Sequence, residues 1–292
     1  MLGKSMYIWN IEDIFGGNTD RIISELKAGT YESVILHSTN VHNWRTAKRV
    51  ELANKLKAAG IKVFAGTAVY FGTEGKAAAG ICTQYKLAGF VFDAESAFDK
   101  LSTPDSKATN MLKEFRASAP GCLIGWCWWA FWHKMHSTGT VYHPPKILWA
   151  AMAKGYGDAD FGVPMMYWSW GDSAARATAY MDESWAQWRA ITNKPIEPVG
   201  RAYVGDGGKA TPEAVVAFEK RARELGATGV TWWVMDHAVK QDYVPGVWDA
   251  LKGLQPFAGT GDEPSSWWSS MTLDEIITVL KAHPEWQPES KG

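Results

Sequence analysis

Short apolar, β-rich runs alternate along the chain with longer segments whose apolar residues recur at helical spacing. That alternation is the pattern of repeated βα units. The strand candidates are Met6–Ile11, Ser33–Ser38, Lys62–Ala68, Gly89–Asp93, Cys122–Trp129, Gly162–Trp168, Glu197–Val204 and Gly229–Met235. Between them, Trp44–Ala59 is amphipathic and stops at Gly60, a residue suited to the left-handed position that follows a helix. Thr211 and Pro212 start a helix that runs to Leu225 and stops at Gly226, while Pro104 and Pro144 open the helices after strands four and five. Eight such units, with no glycine-rich phosphate loop after the first strand, predict an α/β fold closed as a single (β/α)8 TIM barrel over residues 1–254 rather than an open sheet.

Beyond Leu254 the texture changes. Gln255–Trp268 is rich in Gly, Pro and Ser and reads as a linker. Met271–His283 then predicts a short helix, capped by Thr272 and carrying Leu273, Ile276, Ile277 and Leu280 on one face. Residues 255–292 are too few for a domain, so this helix either packs on the barrel or docks on a protein partner.

Composition narrows the function. Hydrophobic residues make up 46% of the 292, enough for one large core. Lys and Arg number 30 against 31 Asp and Glu, a net charge of −1 that excludes a phosphate-tracking nucleic-acid binder and gives no reason for attraction to an anionic membrane. No apolar run approaches the ~20 residues of a membrane helix. The opening Met1–Asp13 shows no apolar signal region, which predicts a protein made in the cytoplasm without export, acting outside after lysis or as part of a virion. Cys82, Cys122 and Cys127 are odd in number and lack metal-ligand spacing, so free thiols are expected. The stretch Phe131–His143 holds three histidines without tight ligand spacing, and neither a metal nor a cofactor is expected. Tryptophan is the outlier at 17, and aromatic rings stack on the C–H faces of sugars.

Barrel enzymes place their chemistry at the C-terminal ends of the strands. Those positions carry Asn10 and Glu12, His37, Tyr70, Asp93 and Glu95, Trp128, Tyr167 and Trp168, Tyr203 and Asp206, Trp232 and Trp233, and Asp236 with His237. Such a rim of carboxylates and aromatics suits a polysaccharide. Its sharpest feature is Gly89-Phe-Val-Phe-Asp-Ala-Glu-Ser96, a hydrophobic strand ending in two acids one residue apart. Residues i and i+2 of a strand face the same side, with Cα atoms roughly 6.6 Å apart. Two carboxyls so placed oppose each other's ionisation, which keeps one protonated near neutral pH. A glycosidase needs that proton for the leaving oxygen and a second charge for the oxocarbenium-like state. Asp236 is a further candidate for the second carboxylate, or else pairs with a loop backbone. Asp206, in a glycine-rich turn, reads first as a turn residue.

The fourth strand ending in Asp-x-Glu resembles glycoside hydrolases of families 25 (lysozymes, or muramidases) and 18 (chitinases). The resemblance implies Glu95 as the catalytic acid and Asp93 as its helper. Pro164-Met-Met-Tyr-Trp168 resembles their sixth strand, with Tyr167 facing the reacting sugar, and Gly229-Val-Thr-Trp-Trp233 their eighth, with Trp232 or Trp233 flooring it. The chain departs from both: Asn10 or Glu12 stands near the first-strand Asp of family 25, and Val91 takes the place of the extra Asp of family 18. The expectation is a hydrolase of an amino-sugar polysaccharide, peptidoglycan first, as in a bacteriophage lysis enzyme. The alternative is a catalytically silent barrel that binds glycan or serves a larger assembly.

Overall fold

The computed structural model describes residues 1–131, 147, 151–152, 159–168 and 171–257. Most of the Phe131–His143 stretch, the start of the helix expected at Pro144, most of the linker and the helix Met271–His283 lie outside these residues. The eight barrel strands are β1 Lys4–Ile8, β2 Ser33–Ser38, β3 Lys62–Val69, β4 Gly89–Ala94, β5 Leu123–Trp129, β6 Phe161–Met165, β7 Val199–Arg201 and β8 Val230–Trp233. Each pairs in parallel with its neighbour in the chain, and β8 closes on β1 through Lys4↔Val230 and Met6↔Trp232. The helices between them complete a (β/α)8 barrel. Among the described residues, no helix is long and apolar enough to cross a membrane, and no group of three or more His, Cys, Asp and Glu side chains is placed to hold a metal ion. The three cysteines are free.

Local chemistry sets the helix ends. The Thr211 hydroxyl accepts from the Ala214 N–H at 3.2 Å, ahead of Pro212, and Gly226 takes the left-handed conformation (φ 81°) past the last turn. Thr46 caps Ala47–Ala58 in the same way, accepting from Arg49 at 3.3 Å. Trp44, expected inside that helix, belongs to a separate 3-10 turn, Val41–Arg45, pinned by its indole N–H on the Leu36 carbonyl at 2.8 Å.

Strand alternation divides the apolar side chains into two cores. Tyr7, Ile35, Phe64, Val91, Cys127, Phe161, Val163 and Val199 fill the barrel. Met6, Ile8, Leu36, Phe90, Trp126, Trp128 and Trp232 point outward and pack with helix residues such as Phe115, Trp188 and Phe218. Small residues make room for large ones. A Cβ on Gly125 would lie 2.8 Å from the Phe161 ring, and one on Gly200 would lie 2.4 Å from Trp232.

Several strands are shorter than the apolar runs imply. Pro195 and Pro198 cannot donate to a ladder, and β7 is cut to three residues. Val204–Gly205 instead pairs antiparallel with Gly208–Lys209 in a small hairpin. β1 ends at Ile8, leaving Glu12 on a 3-10 turn, Ile11–Asp13, and β8 ends at Trp233, leaving Asp236 and His237 on a one-turn helix, Met235–Ala238.

Gly200→Ala tests the interlock between layers. The added methyl meets a fully buried indole, and overpacking of this kind costs about 1–3 kcal/mol. A fall of that size in unfolding free energy by chemical denaturation is expected, and no loss would refute the tight fit.

Candidate active site

β4 directs Gly89, Val91 and Asp93 inward, and alternation carries on past its end. Glu95 retains extended backbone (φ −113°, ψ −162°) before its carbonyl starts the turn Ser96–Asp99, so its side chain keeps the same side as that of Asp93. Asp93 is buried, whereas Glu95 stays in contact with solvent at the barrel mouth.

Asp93 is braced from several sides. Its Oδ2 lies 3.2 Å from His37 Nε2 on β2, reached across β3 where Gly66 and Ala68 present almost no side chain. The His37 ring is held by edge contacts to Tyr7 at 5.8 Å and Trp233 at 5.4 Å. On the other flank Cys127, paired with Asp93 in the β4–β5 register, sets its thiol against Asp93 and the Tyr7 hydroxyl. Burial, then the Asp93 charge, raises that thiol well above its ordinary pKa, so it stays S–H. The Asp93 Oδ1 has no hydrogen-bond partner.

The Glu95 carboxyl is pushed up to about 7, first by loss of hydration at the mouth and then by the charges of Asp93, Asp206 and Asp99. A proton-donating carboxyl with this pKa is half loaded near neutral pH. Asp99 accepts from the indoles of Trp128 (3.3 Å) and Trp129 (3.0 Å). Asp206 sits in the hairpin turn with left-handed backbone (φ 47°) and accepts from the Tyr203 hydroxyl. The turn role and a place in the field of Glu95 therefore coexist in this residue.

Tyr167 stands edge-on to Tyr203 at 5.5 Å, and its phenol is kept protonated by burial and by the nearby groups Cys127, Tyr203, Asp93 and Glu95. The barrel mouth thus brings together His37, Asp93, Glu95, Tyr167, Tyr203 and Trp233 from five different strands or the residues just after them. Others named from sequence lie elsewhere. Trp128, Trp168 and Trp232 are wholly buried in the outer layer, the last two packed on Phe218, which corrects their expected place at the sugar site. Of the two indoles offered for the eighth strand, Trp233 is the one that faces the mouth. Glu12 is exposed and pairs with Lys48 at 3.4 Å, and Tyr70 is exposed beside Phe71. Asp236, with its carboxyl raised mainly by burial, lines a second cleft together with Trp9, Asn10, Asp13 and His237. Sequence reasoning passed over Tyr7 and Cys127. Both read as core residues, and only the closed barrel reveals that Cys127 pairs with Asp93 and that Tyr7 packs on His37.

No protein-family model and no curated protein matches the chain. Solved structures do. A chitinase from Bacteroides thetaiotaomicron aligns with a TM-score of 0.60 at 10% identity, over 86% of this chain and 96% of that one. A β-mannanase from the blue mussel Mytilus edulis gives 0.56 at 11%, over 86% and 91%. A β-D-glucuronidase from Dictyoglomus thermophilum gives 0.56 at 12%, over 88% of this chain and 51% of that one, so the chain spans about half its length. At these identities the likeness establishes the barrel that these enzymes share.

The raised Glu95 pKa has a stability consequence. Between the ordinary carboxyl value of 4.5 and about 7 the native state holds a proton that the unfolded chain has released, so stability falls as pH rises through that window. Glu95→Gln removes this term. Its melting temperature is expected to exceed that of the wild type above pH 7 and to match it below pH 4.5. Equal melting temperatures at both ends would contradict the raised pKa.

Proposed function

We propose that the chain is a glycoside hydrolase in which Glu95 protonates the glycosidic oxygen as the C1–O bond breaks. The single observation that carries this reading is a carboxyl held near pKa 7 beside Asp93, on one strand end at the mouth of the barrel. The rim supports it. Trp9, Tyr70, Phe71 and Tyr243 are exposed aromatics on loops that follow barrel strands, on the same end as Glu95. Exposed aromatic surface around a polar centre suits a saccharide, which offers C–H faces and hydroxyl edges together. The solved neighbours, named as hydrolases of chitin, mannan and glucuronide, are in keeping with it.

Among polysaccharides we place amino-sugar polymers first, with peptidoglycan ahead of chitin. The Asp-x-Glu resemblance to lysozymes and chitinases supports this choice. So does the free Oδ1 of Asp93, an acceptor suited to an acetamido N–H. In that reading the acetamido oxygen attacks C1 as Glu95 gives up its proton, and Asp93 accepts the N–H and offsets the positive charge that develops. Water then attacks C1 and returns its proton to Glu95. Tyr167 supplies an O–H donor beside the reacting unit. Action on bacterial walls, in the manner of a phage lysis enzyme, belongs to the same proposal.

Release of reducing ends from purified peptidoglycan and from chitin tests it. Glu95→Gln is expected to lose about 10²–10⁴-fold in rate, the usual contribution of a general acid, while keeping its fold. Wild-type activity is expected to decline as pH rises through about 7, where Glu95 loses its proton. A wild-type chain that binds these polymers and releases nothing would leave the silent glycan-binding barrel as the reading.

A further inference from the structure

A second cleft opens at the seam where β8 meets β1, lined by Trp9, Asn10, Asp13, Asp236 and His237. Trp9 follows β1 and leaves 44% of its surface in solvent, unusual for the largest apolar side chain. Its ring lies 5.9 Å from Trp233 at a 33° tilt. Trp233 in turn meets the edge of His37, whose Nε2 is 3.2 Å from Asp93. The wall of the cleft is therefore linked to the catalytic mouth through a chain of ring contacts.

Its polar wall is incomplete without a ligand. Asp236 is 2% exposed, yet its Oδ1 has no hydrogen-bond partner. Nδ1 of His237 lacks one as well. The nearby cation Lys240 is directed to Asp13, 3.4 Å away, and so does not satisfy Asp236. A buried carboxylate oxygen without a donor is costly, and a ligand O–H or N–H relieves that cost. Asp13 and Asp236 set against Lys240 give the cleft no cationic excess, which disfavours an anionic group. What fits is a neutral unit with an apolar face for Trp9 and hydroxyls along its edge.

We infer that this cleft is a pyranose subsite that holds a sugar unit of the same chain whose neighbouring units lie at Glu95, with Trp9 as the stacking plate and Asp236 Oδ1 as hydroxyl acceptor. The inference rests on the saccharide reading of the mouth and adds where the chain extends and what grips it. Trp9 and Asp236 act here in binding, apart from the bond being broken.

The test uses the full chain carrying Glu95→Gln, so that binding is read without turnover, with chitohexaose and a peptidoglycan-derived tetrasaccharide as probes in calorimetry. Adding Trp9→Ala is expected to weaken chitohexaose about tenfold and chitobiose, too short to span both places, less than twofold. Trp9→Phe, which keeps a plate, is expected to stay within threefold, and Asp236→Ala to weaken chitohexaose comparably to Trp9→Ala. Because Trp9 is exposed, its variants should melt with the parent, which separates lost contact from lost fold. Chitohexaose binding unchanged in Trp9→Ala, or no binding of either probe by the parent, overturns the subsite. The two proposals fail separately. Trp9-dependent binding by a wild-type chain that releases no reducing ends sinks the hydrolase and keeps the subsite, whereas release of reducing ends with Trp9-independent binding does the reverse.

Discussion

Two carboxyl groups share one side of one strand end, because the extended backbone through Glu95 carries on the alternation of β4. With Asp93 buried and the mouth partly stripped of water, ionising both is expensive, and the cost falls on Glu95 because it lacks the partners that Asp93 has. The rest of the site follows from that asymmetry. One acid is braced and serves as a fixed charge. The other is free at the solvent edge and carries an exchangeable proton.

The brace depends on features that are individually unremarkable. His37 reaches Asp93 only because Gly66 and Ala68 keep β3 low between β2 and β4. Tyr7 and Trp233 hold the imidazole by its edges, and Cys127 fills the opposite flank with a thiol that burial keeps protonated. The barrel is what makes this possible: neighbours in space come from five different strands, each rigid and each contributing one side chain at the same height.

How far all this could be read from the chain depended on whether alternation was visible. In residues 89–95 small and large apolar residues end in two acids, and both the strand and the acidic pair are evident. In Leu123–Trp129 the run Trp-Cys-Trp-Trp is apolar on both sides, as expected of a strand buried on both faces, and parity cannot be assigned from residue type. Residue type therefore points Trp128 at the sugar, whereas it packs outward, and gives no sign that Cys127 faces Asp93. Trp232 and Trp233 posed the same choice, settled by the fit of Trp232 over Gly200. β7 differs in another way: its apolar run predicts a long strand, but the ladder covers only Val199–Arg201, and Tyr203 and Asp206 lie at a small hairpin beyond it.

The central claim is that the charge of Asp93, on top of lost hydration, holds the Glu95 proton near neutral pH. Carboxyl-carbon NMR titration of Glu95 in the wild type and in Asp93→Asn tests it most directly. An inflection near 7 that moves toward the ordinary 4.5 when Asp93 loses its charge is the result the account predicts. A wild-type inflection already at the ordinary value, unmoved by the substitution, would contradict it.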